Sequence, residues 1–348
     1  MKQLVLSLII LGVTISCSFN PKNVSNSNSS KAIVGFYNLE NLFDTINTEG
    51  VFDEEFTPEG KKNWNAQRYQ LKKSMLAGVI KGIGDTANVK GPAVMGLCEV
   101  ENINVIKDLV AHNELQDLNY QIVHQDSPDK RGIDVAFIYQ PTYFVLDHYK
   151  AIPLFIYDDK DGDRIYTRDQ LVVSGKLLGE TTHFIINHWP SRYGGEERSR
   201  PARKKAAELC RSIVDSIHAI DASANIVIMG DLNDDPHNIS VKNELRALIK
   251  SELKEGDLYN TLAEKHQQGE GTLCYRGTWN MFDQIIITQN LLNETDGLNY
   301  KGSYVFVNSD LKVNEGKYTG YPFRTYVGKR YDGGYSDHFP VYMILEKK

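Results

Sequence analysis

Side chains that can bind a metal ion or move a proton stand at the ends of five apolar runs in the sequence. Asn38 and Glu40 follow Ala32–Tyr37, Glu99 follows Ala93–Leu97, His188 follows His183–Ile186, Asp231 and Asn233 follow Ile226–Met229, and Asp337 and His338 precede Val341–Leu345. If these ends meet at one edge of packed sheets, acids, amides and imidazoles converge on one acidic cleft. A hard cation relieves such a cluster of like charges, and oxygen ligands of this kind are those that Mg²⁺ prefers.

Each of these signals also has a plainer explanation when it is taken alone. The Gly-Asp-x-Asn at Asp231 is also the pattern of a turn that closes a strand, and a single histidine such as His188 is often an ordinary polar residue. Glu99 and Glu101 are open to interpretation as surface charges, and we expect Glu101 to be one. The plain explanations would have to hold independently at every one of these positions. The occurrence of all the motifs together, in one order, therefore favours a catalytic site.

The elements that must position these residues are mostly short strands. Helix-compatible spacing occurs between them at Asn63–Ile83, Ile103–Leu115, Ser199–Ala219 and Ser240–Ser251. Further apolar or β-branched runs predict strands at Val135–Tyr139, Tyr143–Tyr149, Leu171–Leu177 and Phe282–Thr288, in addition to the five runs above. Strands outnumber helices, and several helices stand between strands, so we expect an α/β or α+β sandwich of layered sheets with helices outside.

The N-terminus has the layout of a secretory signal. Lys2 precedes an apolar run that ends at Ser16-Cys17, and the run is too short for a membrane span of about 20 residues. We predict a signal peptide over 1–16, a lipidated Cys17 with a Ser/Asn-rich tether over 17–31, and one catalytic domain over 32–348. The protein is then exported and lipid-anchored in the cell envelope, facing the periplasm or the outside; the alternative is ordinary secretion.

Charge and cysteine content exclude little. The formal charge of −6 includes Lys2, so the mature chain would carry −7. This argues against binding nucleic acid through a generally positive surface, although a local basic cleft remains compatible with an acidic whole. Cys98, Cys210 and Cys274 lack the close spacing of a zinc or redox motif, and we expect buried free thiols.

The ordered motifs resemble those of the endonuclease/exonuclease/phosphatase superfamily. They are Asn38-Leu39-Glu40, Gly96-Leu97-Cys98-Glu99, Asn187-His188, Gly230-Asp231-Leu232-Asn233, Phe282-Asp283 and Ser336-Asp337-His338. The resemblance spans nearly all of the predicted domain. It implies a four-layered sandwich of two packed β-sheets flanked by helices, as in deoxyribonuclease I, and hydrolysis of phosphate esters with Mg²⁺ or Mn²⁺.

The resemblance also implies a metal site. Glu99 matches the principal metal ligand, Glu40 and Asp337 complete or support the site, and Asn38 lies nearby through its amide. Glu40 stands where many relatives have another residue, so its direct contact with the metal is the weakest of these assignments.

The catalytic groups follow in the same way. Asp231 is expected to orient or deprotonate the attacking water, and Asn233 to donate to the phosphoryl oxygens. His338, held in one tautomer by Asp283, is expected to act on the phosphate or the water. A carboxylate beside an imidazole raises its basicity and fixes its orientation, which proton transfer requires.

Two further residues are suggested by particular branches of the family. His188 matches a second histidine of the pancreatic-type deoxyribonucleases and is expected to protonate the leaving oxygen, with Asp134 as the candidate to orient it. Arg168 matches an arginine that contacts substrate phosphate in some relatives; the alternative for Arg168 is a surface salt bridge.

The substrate remains open between DNA, RNA, nucleotide, inositol and lipid phosphates, because fold does not fix function. His188 and Arg168 favour a nuclease-like phosphodiesterase, and no long apolar hairpin is evident that would favour a lipid. Trp279, Tyr275 and the segment Tyr318 to Tyr335 either line the cleft and stack on a base or sugar, or form core and surface loop. The alternatives are a phosphomonoesterase acting on sugar or inositol phosphates, a non-catalytic binding protein, and a calcium-stabilised structural domain. We expect a monomer.

Overall fold

The computed structural model describes residues 30–158, 161–293 and 296–348. The predicted signal peptide, Cys17 and all but the last two residues of the predicted tether lie outside the described residues, so these predictions stay predictions. Within the described ranges, no helix has both the length and the apolarity that a membrane crossing requires.

Strands dominate the chain. In chain order they are β1 (Lys31–Leu42), β2 (Val94–Val100), β3 (Gln121–His124), β4 (Asp134–Tyr139), β5 (Phe144–Ile152), β6 (Ile156–Tyr157), β7 (Arg164–Ile165), β8 (Gln170–Leu177), β9 (Glu180–His188), β10 (Asn225–Asp231), β11 (Ala247–Leu248), β12 (Leu258–Asn260), β13 (Leu273–Tyr275), β14 (Thr278–Asn280), β15 (Asp283–Thr288), β16 (Leu298–Val305), β17 (Tyr326–Val327), β18 (Arg330–Tyr331) and β19 (Val341–Lys347).

Four α-helices occur in the described ranges, and shorter helical turns connect other elements. The α-helices are α1 (Ala66–Asp85), α2 (Ile103–Val110), α3 (Glu196–His218) and α4 (Ala263–Gln267). The first two begin at asparagine caps: the side chain of Asn65 accepts from Arg68 N–H, and that of Asn102 accepts from the N–H groups of Asn104 and Val105. Such caps satisfy backbone donors that would otherwise lack partners.

Two large mixed sheets form the centre of the molecule. The first has the strand order β16-β19-β1-β2-β4-β3, and the second has the order β11-β12-β15-β10-β9-β8-β5. At the middle of each sheet two strands run parallel, β1 beside β2 and β10 beside β9. The strands on either side of these two pairs run antiparallel to them, and β11 and β12 form a further parallel pair at one edge of the second sheet.

Three apolar clusters define four layers. Phe36, Phe137 and Phe184 belong to the cluster between the two sheets. Leu76 and Ile80 of α1 and Val105 of α2 pack with the outer side of the first sheet. Helix α3 packs through Ala206, Cys210 and Val214 against the second sheet. The expected sandwich of two packed sheets flanked by helices is therefore confirmed.

All nine predicted strands are present, and the structure extends most of them into the polar motifs. The first predicted run ends at Tyr37, whereas β1 continues to Leu42; likewise β9 reaches His188 and β10 reaches Asp231. Strand ends therefore include Asn38, Glu99, His188 and Asp231, whereas Asn233, Asp337 and His338 lie in the adjoining loops. Two of the strands that the sequence did not predict, β3 and β16, lie at the sheet edges, where a polar pattern is tolerated.

The predicted helix Ser240–Ser251 is wrong beyond its first turn. A π-helix covers Ser240–Glu244, after which Arg246 adopts a left-handed φ of 58° and Ala247–Leu248 form β11. Pairing of β11 with β12 extends the second sheet, and a strand at that edge satisfies the backbone where a continued helix would not. The thiol prediction holds for Cys98 and Cys210, which are buried, but Cys274 is partly exposed.

Candidate active site

The centre of the candidate site is Asp231, the last residue of β10. In the sheet register it pairs with His188 at the end of β9 on one side and with Asp283 at the start of β15 on the other. Three residues from motifs far apart in sequence therefore lie side by side because their strands are neighbours. All three side chains are buried.

Asn38 joins the first sheet to this centre. Its Nδ2 donates to Asp231 Oδ2 at 3.0 Å and lies 3.4 Å from Glu99 Oε1. Its Oδ1 accepts the backbone N–H of Glu40 at 2.9 Å. The amide therefore has protein partners on both sides, and its best-supported role is to orient two carboxylates.

Backbone strain is concentrated at the same place. Glu40, Asn41, Glu99 and Asn233 have φ values of 48°, 55°, 59° and 50°. The β1–β2 register shifts between Asn38 and Leu42, and the β2–β4 register shifts at Glu99. Left-handed non-glycine residues cost about 1–3 kcal/mol each and gather at functional sites, and bulges redirect side chains. Here the bulge at Glu99 turns its carboxylate to accept Asn41 N–H at 2.9 Å.

The Asp283–His338 pair forms a short contact at the centre of the site. His338 Nδ1 lies 2.6 Å from Asp283 Oδ2, and Ser336 Oγ accepts the His338 N–H. Burial opposes a charge on His338, but the carboxylates of Asp283, Asp337 and Asp231 outweigh burial and raise the pKa of His338 well above its usual value. The imidazole is therefore a cation with its Nε2 directed toward Asp231 Oδ2, at 4.0 Å.

Asp231 has the properties of a proton acceptor. Burial raises its pKa to about 7, against the opposing effect of His338. The backbone N–H of Asn233 donates to Asp231 Oδ1 at 2.9 Å, which fixes the carboxylate. A carboxylate with a pKa near neutrality is suited to general base catalysis.

Asn233 is held by its surroundings, and one N–H of its side-chain amide has no partner in the part of the chain that the structure describes. Its side-chain Nδ2 donates to Trp189 O at 3.0 Å, and its backbone carbonyl accepts a hydrogen bond from Arg192 Nε at 2.9 Å. Because an amide has two N–H groups, the second remains for a ligand.

His188 faces the same carboxylates from the other side. Its Nε2 lies 3.7 Å from Asp231 Oδ2 and 3.9 Å from Glu99 Oε1, while its buried Nδ1 has no hydrogen-bond partner among the described residues. Burial, followed by the charges of Arg168 and Arg131, lowers the pKa of His188 well below its usual value. A neutral ring with its proton on Nε2 is the tautomer that suits two neighbouring carboxylates.

Asp134 does not orient His188, contrary to the prediction. Its carboxylate accepts from Ser127 N–H and Ser127 Oγ and lies 3.2 Å from His124 Nε2. Asp134 begins β4, and the Ser127–His124 side of that strand binds its carboxylate.

Arg168 is buried, which excludes the alternative of a surface salt bridge. Its Nη1 donates to Asp129 Oδ2 at 2.9 Å, Nε to His188 O at 3.1 Å and Nη2 to Trp189 O at 2.6 Å. These contacts give Arg168 a positioning role at the end of β9, and its contact with substrate stays a prediction.

Glu101 was expected on the surface and is instead buried. It accepts Asp44 N–H at 2.6 Å, and burial raises its pKa to about 7. The chain segment after β1 folds over Glu101, which sequence spacing does not reveal.

Glu40 is bound mainly by protein donors. Its Oε2 accepts Thr325 N–H at 2.6 Å, Arg324 Nε lies 3.4 Å from Oε1, and Lys72 Nζ lies 4.0 Å from Oε2. Burial, followed by repulsion from Asp337, raises the pKa of Glu40. These contacts support a structural role for Glu40 at the rim of the predicted metal site, and its direct contact with a metal stays a prediction.

Glu99 and Asp337 are the carboxylates best suited to hold a cation. Their side chains are 15% and 29% exposed. Among the described residues, Glu99 Oε1 accepts from Asn38 Nδ2 at 3.4 Å, and Asp337 Oδ1 lies 3.9 Å from His338 Nε2. Burial alone would raise the pKa of Asp337, but Arg324, 2.8 Å away, and other nearby cations lower it.

The charge balance of the site also suits a divalent cation. Five carboxylates face three cationic groups; these are Glu40, Glu99, Asp231, Asp283 and Asp337 against Lys72, Arg324 and His338. Asp231, Asp283 and His338 also offer ligand atoms within 4.8 Å of one another, but the short Asp283–His338 contact accounts for that cluster. The acidic set therefore fits a divalent cation, which Glu99 and Asp337 could hold.

Two site residues were missed from the sequence. Lys72 in α1 is buried, donates to Thr325 Oγ1 and Tyr335 O, and has a pKa that burial lowers to about 8. Arg324 bridges Glu40 and Asp337. The only signal for Arg324 was its place in the Tyr/Gly/Lys/Arg-rich segment Tyr318 to Tyr335, whereas Lys72 had none.

The aromatic candidates lie around the site in two kinds of position. Trp279 is partly buried and stacks on Phe339 with a centroid separation of 6.0 Å, while Tyr275 is exposed. Packing accounts for the Trp279 ring, so its contact with substrate stays a prediction.

Comparisons with known proteins agree with this fold. The profile of the endonuclease/exonuclease/phosphatase family matches residues 33–347. No curated protein matches the sequence. An endonuclease/exonuclease/phosphatase from Bacteroides vulgatus has a similar structure, with a TM-score of 0.55 at 15% identity, covering 91% of this chain and 99% of that chain.

Two further solved structures show the same fold at low identity. A mannosyl-6-phosphatase of Bacteroides thetaiotaomicron gives a TM-score of 0.54 at 15% identity and covers 90% of this chain and 99% of that chain. TDP2 of D. rerio, solved with a single-strand DNA product, gives 0.53 at 13% identity and covers 92% of this chain and 100% of that chain. These likenesses concern the fold.

Proposed function

Because the chain belongs to the endonuclease/exonuclease/phosphatase family, we propose that it is a metal-dependent hydrolase that cleaves phosphodiesters in the manner of a nuclease. The observation that carries the proposal is the buried Asp231 flanked in register by His188 and Asp283, with His338 bound to Asp283 at 2.6 Å. This arrangement places a base, Asp231, next to a cationic donor, His338, and a neutral donor, His188.

The chain's own residues divide the chemistry of in-line water attack on phosphorus. Asp231 accepts a proton from the attacking water, since its pKa of about 7 allows both protonation states near neutral pH. The His338 imidazolium and the free N–H of Asn233 donate to phosphoryl oxygens. Donors of this kind are each worth about 10²–10³ in rate.

Mg²⁺ or Mn²⁺ held by Glu99 and Asp337 would stabilise the negative charge that develops on the phosphoryl oxygens. Asn38 lies between the Glu99 and Asp231 carboxylates and donates to both through its side-chain amide. His188, neutral because of burial, donates a hydrogen bond from Nε2 toward the leaving oxygen.

Exposed aromatic residues support a phosphodiester substrate. Tyr275 and Tyr318 are 62% and 40% exposed and belong to the segments that were expected to line the cleft. Exposed aromatic rings suit groups on either side of a scissile phosphate, such as bases or sugars. The likeness to the mannosyl-6-phosphatase supports a phosphomonoesterase as the second candidate function. The likeness to TDP2 with its single-strand DNA product supports the phosphodiesterase.

The test is turnover by the full chain on plasmid DNA, RNA, bis-p-nitrophenyl phosphate and p-nitrophenyl phosphate, each with Mg²⁺, Mn²⁺, Ca²⁺ or EDTA. His338→Ala serves as the control for contaminating activity. Metal-dependent cleavage of a diester, lost in the control, is expected. Cleavage of p-nitrophenyl phosphate alone would replace the diester assignment with a phosphomonoesterase, and no turnover on any substrate would refute the proposal.

We also propose that the protein is exported and anchored by a lipid on Cys17. The support is the apolar run that ends at Ser16-Cys17. Mass spectrometry of the mature N-terminal peptide is the test: a diacylated Cys17 is expected, and a free N-terminus elsewhere would refute the anchor.

A further inference from the structure

We propose that a cavity beside the candidate active site binds a second phosphate group of the substrate, one that is not hydrolysed. The cavity measures about 160 Å³ and is lined among others by Lys62, Trp64, Arg324 and Tyr326. We call it the Lys62 cavity. The inference rests on the proposed function, since it assigns a feature of the substrate of the same site.

The Lys62 cavity adjoins the predicted metal site. Glu40 and Asn41 form part of its wall, and the N–H of Asn41 donates to Glu99 Oε2. Arg324, also in the wall, contacts Asp337 through Nη2 at 2.8 Å. A group in the cavity would therefore lie close to the candidate metal ligands, within the same substrate.

The cationic groups of the cavity exceed what the protein uses. Within the described ranges, the Lys62 ammonium has no carboxylate within 4.0 Å, and its hydrogen-bond partner is Gly328 O at 3.4 Å. Arg324 uses Nε and Nη2 for Glu40 and Asp337, and Nη1 has no partner among the described residues. Two cationic groups thus offer donors toward the same small space.

The position of Lys62 is built into the fold. Its ammonium lies 4.6 Å from the centre of the Tyr326 ring, and its backbone carbonyl accepts from Tyr326 Oη at 2.9 Å and from Arg68 Nη1. Trp64, two residues on, is buried and donates through Nε1 to Phe43 O at 3.0 Å. An ordinary surface lysine has no such support.

The one carboxylate in the wall does not neutralise Lys62. Glu40 is already bound by Thr325 N–H, by Tyr326 N–H and by Arg324, with Lys72 behind it. The Lys62 ammonium and Arg324 Nη1 therefore keep donors that an anion in the cavity can use. Among anions, a phosphate group matches best, because it accepts from an ammonium and a guanidinium at once and occurs next to the scissile group in any polymeric phosphodiester.

The experiment is isothermal titration of the full chain with inorganic phosphate in EDTA, where no turnover occurs. Lys62→Gln is expected to weaken phosphate binding about tenfold or more, because a charged hydrogen bond is lost. Lys62→Arg is expected to retain binding. Lys61→Gln, an exposed neighbour outside the cavity, is the matched control and is expected to leave affinity within about twofold of the parent.

His338→Ala distinguishes the Lys62 cavity from the candidate active site, because phosphate is expected to bind in the cavity of this variant as it does in the parent. Phosphate affinity that is the same in Lys62→Gln and the parent, or that falls equally in Lys61→Gln, would overturn the inference. The titration measures binding and not turnover. A negative titration therefore does not argue against metal-dependent hydrolysis, and a protein without hydrolytic activity can still be tested for phosphate binding.

A second arm decides whether the phosphate belongs to the substrate. Thymidine 3′,5′-bisphosphate in Mg²⁺ is expected to bind at least about tenfold more tightly than inorganic phosphate, because two linked groups occupy two sites. Both Lys62→Gln and His338→Ala should remove this advantage; phosphate release after the titration checks the ligand. A bisphosphate that binds no better than phosphate would assign the cavity to free phosphate and overturn the substrate assignment.

Discussion

Replacement of Asp283 by asparagine tests the reasoning about the catalytic pair most directly. Asp283 is fully buried, His338 is 9% exposed, and their side chains are 2.6 Å apart. Asparagine keeps the shape of the side chain but removes the negative charge that stabilises the imidazolium. The variant therefore isolates the electrostatic contribution of the pair.

The magnitude follows from that contact. A hydrogen bond to a charged group contributes about 1.5–3 kcal/mol, and each 1.36 kcal/mol is tenfold in rate, so kcat of Asp283→Asn should fall about 10–150-fold. The pH profile gives a second readout. Because Asp283 raises the pKa of His338, activity that needs the imidazolium is present below that pKa and is lost as pH rises through it. The variant lowers this pKa, so its alkaline limb should move to lower pH.

The assay is the pH dependence of kcat for the best phosphodiester substrate at saturating metal, with thermal unfolding to confirm the fold. Asp215→Asn is the matched control, since the exposed Asp215 pairs with Arg211 on α3 and belongs to none of the site motifs. An unchanged kcat with an unchanged alkaline limb would refute the assignment of His338 as a cation held by Asp283. A fall confined to metal affinity would do the same.

Three further predictions concern the metal, the base and the buried arginine. Glu99→Gln should lower turnover at least about 10²–10³-fold and abolish any Mg²⁺-dependent rise in melting temperature; a retained rise would place the metal elsewhere. Because burial raises the pKa of Asp231 to about 7, the folded state holds a proton that the unfolded state releases, and stability should fall as pH rises from about 4 to 7. Asp231→Asn should therefore be more stable than the parent at pH 8, by about 1–3 kcal/mol in metal-free urea unfolding, while losing turnover; equal or lower stability would contradict this. Arg168→Met removes the buried partner of Asp129 and leaves that carboxylate with the exposed Arg131, 3.5 Å away, so it should cost about 3 kcal/mol of unfolding free energy; lost turnover without lost stability would instead favour substrate contact.

The sequence was most informative about the strands and their ends. Apolar runs of β-branched residues lie in the interior of two sheets, and burial on both sides leaves little freedom in their composition. The polar residues that end these runs are confined to the sheet edge, so Asp231, Asp283, His188 and Glu99 could be named before any contact was known. Their common edge follows from strand neighbours, as in the register of Asp231 with His188.

The sequence was least informative where a polar residue is buried by a distant segment. Glu101 alternates with Glu99 along one strand end, yet the chain after β1 covers it and raises its pKa to about 7. Lys72 lies in a helix of ordinary amphipathic character and becomes buried because the loop at Thr325 supplies its hydrogen-bond partner. Asp134 was assigned to the wrong histidine because sequence proximity does not say toward which neighbour a strand side chain points.

By itself, the sequence determined the layered architecture, the order of the motifs and the identity of the groups that can perform the chemistry, because these depend on local pattern and residue type. Only the tertiary structure decided which of those groups meet. It placed Arg168 beneath the end of β9 and bound Glu40 to the Arg324–Thr325 loop. It also formed a cationic cavity around Lys62. Such contacts join residues separated by up to hundreds of positions, and long-range packing, not local propensity, sets their geometry and their charge.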